Sequence, residues 1–272
     1  MRVINLQPGR AGSYLTAALP FLVLILVYAV FSDMRLAENP DDKLLPAASS
    51  FVDAVQRMAF EPSRRTGEYL LWEDTGASLT RLAIGMFFSA LIGLSLGVLN
   101  GLIPWFASTW SPFVRIISMI PPMAVLPILF ITFGLGELSK YVLIIFGTAP
   151  VIARDIEQRV RELPHEQLIK AQTLDASTWQ IINRVVLPQV MPRLVDAVRL
   201  ALGAAWLFLI AAEAIAATEG LGYRIFLVRR YLAMDVILPY VLWITLLAFL
   251  IDYALRRVNG VCFPWYGRLR SS

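Results

Sequence analysis

Glu213 is the ionisable residue best placed to do chemistry inside an apolar chain. It sits in the run Leu209-Ile210-Ala211-Ala212-Glu213-Ala214-Ile215. Lipid cannot solvate a carboxylate, so such a residue faces a bundle interior or a water-filled path. Two readings are open: an interhelical hydrogen bond that fixes the bundle, or a contact to a passing solute. A solute contact would suit a cation or a neutral hydrogen-bond donor. Arg81, Arg199 and Asp252 lie near the ends of apolar runs and are expected to pair or to snorkel. His165 stands beside Glu166 in a polar stretch, where it reads as a solvated surface residue. One histidine and one cysteine, Cys262, leave no internal disulfide and no ordinary Cys/His zinc site. No cofactor is expected. There is no Gly-rich phosphate loop of the Walker A form, so ATP chemistry belongs to another chain. No cluster of His, Asp, Glu or Ser with paired roles supports an integral-membrane enzyme.

Glycine and proline mark two further places. Gly93, Gly97 and Gly101 are spaced four apart, with Gly85 two turns earlier. On a helix this makes one face of small residues against which another backbone can pack closely. Packing is the reading preferred over a ligand role. Pro121 and Pro122, in Ile120-Pro121-Pro122, cannot donate backbone hydrogen bonds and bend a helix. Two readings stand level: a kink used for packing, or carbonyls freed to line a cavity.

The elements that carry these residues are membrane spans. The chain has 272 residues, 58% hydrophobic and 16% charged, with a mean hydropathy of +0.65. Soluble domains carry about 25% charged residues. The apolar residues gather in six runs, at about Leu15–Phe31, Leu79–Ile103, Pro112–Phe133, Leu138–Ala153, Leu194–Ala217 and Val236–Leu255. A span needs about 20 apolar residues. Arg2 and Arg10 precede the first run, which is taken as an uncleaved helix. The expected fold is all-α: a polytopic integral membrane protein with a cytoplasmic coupling helix-turn-helix. Its parts are a cytoplasmic N-terminus (1–14), a transmembrane domain (15–257) and a cytoplasmic tail (258–272).

Charge sets the orientation. Arg154, Arg159, Arg161, Lys170, Arg184 and Arg193 follow the fourth run, and Arg256, Arg257, Arg268 and Arg270 follow the sixth. Positive-inside sorting places both groups, and both termini, in the cytoplasm. Residues 32–78 then lie outside, and their acids, Asp41, Asp53, Glu61 and Asp74 among them, outnumber their bases. The outer loop 218–235 carries Arg224, Arg229 and Arg230 against this topology. They are expected on an amphipathic helix at the membrane surface. The net charge of +4 is flanking arginine and gives no case for nucleic acid.

The polar stretch 154–192 is the expected docking element. Leu168, Ala171 and Leu174 recur at helical spacing with Ile169 beside them. A turn follows at Asp175-Ala176-Ser177. Ser177 and Gln180 have the form of a capping box that opens a second helix. Pro188 is expected to end that helix, and Pro192 to fall in the first turn of the fifth span. The apolar faces either fold back on the membrane domain or dock a second protein.

The stretch resembles the signature loop of permease subunits of ATP-binding-cassette importers: Glu-Ala-Ala, three residues, Gly, nine residues, Ile, one residue, Leu-Pro. Leu187 and Pro188 align with its end, Val185 with its isoleucine, Asp175 with its glycine and Ala171 with its second alanine. Ile169 and Lys170 stand where the glutamate and first alanine would be. Asp tolerates a left-handed turn better than most residues. Other blocks resemble the nitrate, taurine and alkanesulfonate branch: Leu45-Pro46, Phe133 to Lys140, Thr173 to Ser177, Arg199 to Gly203, Ala212-Glu213 and Gly220 to Tyr223. They run in family order over roughly Leu44 to Arg257. The resemblance implies a type I importer. Two permeases, expected as a homodimer in the bacterial inner membrane, form the path. Cytoplasmic ATPase subunits dock on the loop, and a solute-binding protein delivers a sulfonate-, taurine- or nitrate-like solute. A guanidine- or urea-like compound is an alternative solute. A self-contained ion-coupled transporter is the alternative mechanism, though Glu213 stands nearly alone for it.

Overall fold

A computed structural model of the chain describes residues 9–39, 42–63 and 67–266. Arg2, Asp41, Arg268 and Arg270, and parts of both terminal segments, lie outside the described residues. The described elements are helices: α1 (Arg10–Glu38), α2 (Ala48–Ala59), α3 (Leu70–Leu102), α4 (Pro104–Ile117), α5 (Pro122–Phe133), α6 (Glu137–Arg161), α7 (His165–Thr173), α8 (Thr178–Ile181), α9 (Leu187–Ala216), α10 (Leu221–Val228) and α11 (Met234–Cys262). No strand occurs among the described residues.

Four of the six expected runs become helices long and apolar enough to cross a membrane: α1, α3, the continuous helix over Thr178–Ala216, and α11. The third run is a bent pair of helices that is apolar and long enough for a span only as a pair. The Pro121-Pro122 pair stops α4 at Ile117 and restarts the chain as α5 at an angle of 96°. Two helices of 14 and 12 residues are each shorter than the ~20 residues a span needs. The fourth run lies in α6, whose apolar stretch is bounded by Lys140 and Arg154. Ile144, Ile152, Ala153 and Ile156 of α6 are fully buried in the bundle. A helix shielded by protein on several sides needs less apolar surface than one facing lipid.

The α3–α6 pair organises the bundle. Small residues on α3 meet large ones on α6 in constant register, Gly85 on Ile144, Gly93 on Ile152, Gly97 on Ile156 and Gly101 on Val160. The helices therefore run parallel. A Cβ at Gly97 would lie 2.6 Å from Ile156 and 2.7 Å from the Ala153 carbonyl. In mid-pair, Thr148 Oγ1 lies 2.7 Å from Ser89 Oγ, at the same 59-residue offset. Close approach at small residues is what associates helices in lipid, where burial gives no hydrophobic gain.

α9 packs on both α6 and α3, and α11 on α9. α1 is nearly bare, with 6% of its apolar window buried. It is tied to the chain after it by Tyr28 and Ser32, which donate to the carbonyls of Pro46 and Leu45. α2 docks on α3 where Trp72 Nε1 donates to the Ala59 carbonyl at 3.0 Å.

Candidate functional site

At one end of the bundle, α7 and α8 project as a helix–turn–helix. α7 ends in a Schellman motif: Asp175 N–H donates to the Gln172 carbonyl (3.0 Å) and Ala176 N–H to the Ala171 carbonyl (3.1 Å). That motif needs a left-handed residue at its centre, and Asp175 has φ +58°. The aligned glycine position is thus a backbone requirement that Asp meets. α8 opens with the expected capping box, Gln180 N–H to Ser177 Oγ at 3.3 Å and Ser177 N–H to Gln180 Oε1 at 2.8 Å.

Pro188 does not end the second helix, which corrects the expectation. α8 passes through a π-helical turn, Ile182–Val186, straight into α9. Pro188 has no N–H to give the Arg184 carbonyl, so the regular ladder fails there and the chain widens instead of breaking. The helix over Thr178–Ala216 is 39 residues long, about 58 Å at 1.5 Å per residue. The turn is therefore rigidly joined to the far end of the bundle. Gln189 Nε2 also donates to Gln167 Oε1 at 2.9 Å, tying α9 to α7.

Within this element Leu168, Ala171, Ala176, Val185 and Leu187 pack against the core. Leu174 is 83% exposed, Trp179 69% and Ile169 48%. Lys170, Asp175 and Pro188 are exposed as well. The replacements of the pattern's glutamate, first alanine and glycine, Ile169, Lys170 and Asp175, thus look outward, while Val185 in place of its isoleucine packs inward. Behind the loop, hydrogen bonds from Arg159, then Gln158, hold the Glu162 carboxyl below its ordinary range.

Charge, by contrast, is buried at the opposite end. Glu213 is fully buried. It accepts from Ser78 Oγ (2.8 Å), Arg81 Nη1 (2.9 Å) and Gly222 N–H (2.9 Å). Arg81, also buried, forks onto Glu137 at 2.6 and 2.8 Å and reaches the Glu219 carbonyl at 2.8 Å. Lys140 adds a bond to Glu137 at 2.7 Å. Asp74 accepts from Arg224 Nε (2.7 Å), Gly220 N–H (2.9 Å) and Tyr240 OH (3.1 Å). Gly220 has φ +121°, and a Cβ there would lie 2.6 Å from the Glu213 carboxylate. The blocks Ala212-Glu213 and Gly220 to Tyr223 are therefore one packed unit.

This geometry corrects the reading of Arg224, which is not a membrane-surface residue. Asp74 neutralises it inside the bundle, which weakens the objection its charge raised to the topology. Arg199 pairs with Asp252 at 2.8 Å. Pro121 caps α5, and its carbonyl accepts from Ala124 N–H at 3.0 Å. In the sequence Asp74 reads only as one of the outer acids, Glu137 and Lys140 only as part of a family block, and Ser78 and Tyr240 are not singled out. A signal was present for Asp74 and Ser78. Asp74, Ser78 and Arg81 continue the stripe Gly85, Ser89, Gly93, Gly97, Gly101 at helical spacing along one face of α3. Among the described residues no group of three His, Cys, Asp or Glu could hold a metal ion.

The chain is similar to known transport proteins. The chain is 35% identical to the taurine transport system permease protein TauC of Escherichia coli (strain K12), over 74% of this chain and 73% of that one. It is 27% identical to the putative aliphatic sulfonates transport permease protein SsuC of Bacillus subtilis (strain 168), over 96% and 92%. An inward-facing structure of the MetNI methionine ABC transporter superposes with a TM-score of 0.63 at 26% identity, covering 73% of this chain and 98% of that one. Residues 89–261 match the family described as binding-protein-dependent transport system inner membrane component. The chain belongs to that family: it is a multi-pass membrane subunit of a transport system and not itself an enzyme.

Proposed function

We propose that this chain, the permease subunit of an ATP-binding-cassette importer, takes its energy through α7 and α8. The observation that carries this is the exposure of Leu174, Trp179 and Ile169 on an element locked by two caps. Apolar side chains held rigidly outside a membrane bundle favour a protein partner. The partner is a cytoplasmic ATPase, which places α7 and both termini on the cytoplasmic side. The arginines of the loop and of the C-terminal region agree with that side. The coupling residues are Leu168 to Ala171, Leu174, Asp175, Val185, Leu187 and Pro188, within the 154–192 stretch of a 15–257 membrane domain. A solute-binding protein serves the other face, and two copies of the chain form the path within the lipid.

The solute is a small sulfonate of the taurine or alkanesulfonate kind, in line with the solutes for which TauC and SsuC are named. Three protein donors, one of them the Arg81 guanidinium, satisfy Glu213. The carboxylate that would have favoured a cationic guanidine-like solute is thus already engaged. Pro121 and Pro122 remain as the pathway residues to test, since the break they cause lies beside α6.

Leu174→Asp tests the docking role. The variant should reach the membrane at normal abundance, lose its co-purifying ATPase and lose taurine or alkanesulfonate uptake. Normal uptake in that variant would sink the docking role.

A further inference from the structure

A cavity of about 230 Å³ lies at the loop end, where α6, α9 and the residues after α11 leave the apolar bundle. It is far larger than the roughly 30 Å³ a water occupies in the liquid. Its walls include Arg159 of α6 and Glu162 just after it, Gln189 and Arg193 of α9, and Trp265 and Tyr266. None of these carries the coupling surface proposed above.

Of the two arginines, Arg193 has donors to spare. Arg159 Nη1 donates to Glu162 Oε2 at 3.0 Å. Its Nε is ion-paired with Asp155 at 3.8 Å and is shielded from the cavity. Arg193 makes no hydrogen bond or ion pair with another described residue. Its guanidinium lies 4.8 Å from the centre of the Tyr266 ring. Tyr266 is held by Asp196, to which its OH donates at 3.0 Å. The one carboxylate in the wall is engaged on both oxygens, with Arg159 and with Gln158 Nε2 at 3.1 Å.

A guanidinium in a cavity wall with no ion-pair partner leaves its donors to water or to a ligand. Paired arginine forks fit the oxygens of a phosphate group. Trp and Tyr beside them are the side chains that settle at the headgroup level of a bilayer. We propose that this cavity binds a phosphate group. Two sources share that chemistry: the headgroup of an anionic phospholipid, or a free phosphate from solution. The site is independent of which solute is transported and of whether the loop docks an ATPase.

The test uses the full chain, with whatever partners co-purify, in mild detergent. Native mass spectrometry would follow titration with short-chain phosphatidylglycerol, short-chain phosphatidylcholine and inorganic phosphate. Phosphatidylglycerol should bind one site about tenfold more tightly than phosphatidylcholine, the size of one charge-assisted hydrogen bond. The double variant Arg159→Gln/Arg193→Gln should lose that preference. Arg256→Gln, an exposed arginine outside the cavity, should keep it. Binding of phosphatidylglycerol that inorganic phosphate does not displace assigns the lipid headgroup. Displacement by inorganic phosphate, or phosphate binding alone, assigns the free anion. Equal binding of the two lipids by the unmodified chain, with no bound phosphate, overturns the proposal, and that comparison needs no variant to fold. An equal loss in Arg256→Gln also overturns it, because the attraction would then be diffuse.

Discussion

The two ends of the bundle handle polarity in opposite ways. At the end where α3 begins and α9 finishes, charges are buried and met inside the chain: Asp74 by Arg224, and Glu213 by Arg81 and Ser78. At the α7 end, polar groups serve local caps while Leu174 and Trp179 stand in the open. One end is complete in a single chain. The other is finished only when something covers it. A transport subunit that receives force from outside needs both: a bundle that does not come apart when pushed, and a handle left free for the partner.

The contrast can be broken from its buried side first. Glu213→Ala removes a fully buried carboxylate and leaves Ser78, the Gly222 N–H and one Arg81 donor unmet. Breaking a buried pair from one side costs about 3–5 kcal/mol. The variant should fall sharply in membrane abundance and in melting temperature in detergent. An unchanged melt would mean that water reaches this end and that it is not self-contained.

Next comes Gly97→Val, which drives a side chain into Ile156 and the Ala153 carbonyl. Overpacking of this kind costs about 1–3 kcal/mol. Melting should drop by less than for Glu213→Ala. A neutral result would show that α3 and α6 can separate without loss.

Asp175 sharpens the other side. Asp175→Val places a β-branched residue at φ +58°, at a cost of about 1–2 kcal/mol for a left-handed conformation. Asp175→Gly should be neutral or slightly stabilising. Limited proteolysis across Gln172–Thr178 would show the difference, with cleavage faster in the valine variant alone. Smallest of all in stability is Leu174→Asp, within about 0.5 kcal/mol of the parent as exposed substitutions usually are. Its effect should fall on uptake and partner capture. If it melted like Glu213→Ala, the open face would be part of the core and the contrast would vanish.

Much of this molecule follows from local rules. Apolar runs of bilayer length, the four-residue glycine spacing, the capping box at Ser177 and the turn at Asp175 depend on residues a few positions apart. Periodicity and cap chemistry report such neighbours directly. The family pattern of the loop could be aligned for the same reason. Other features join residues far apart. Ser78 and Glu213 are 135 positions apart, Asp74 and Arg224 150, and Asp74 and Tyr240 166. No spacing rule pairs them, so the sequence alone leaves Arg224 as a surface residue, while the fold sets Asp74 beside it. The 96° break at Pro121-Pro122 was legible as a disruption but not as an angle, because packing on α6 chooses the angle. Likewise the apolar spacing of α7 predicted a face but not its direction. By itself the sequence determined which stretches are helical, where they cap and which are apolar enough for lipid, since those depend on composition and near neighbours. Only the tertiary structure decided which charges are buried together and which apolar residues stay uncovered, since both depend on what the rest of the chain brings alongside.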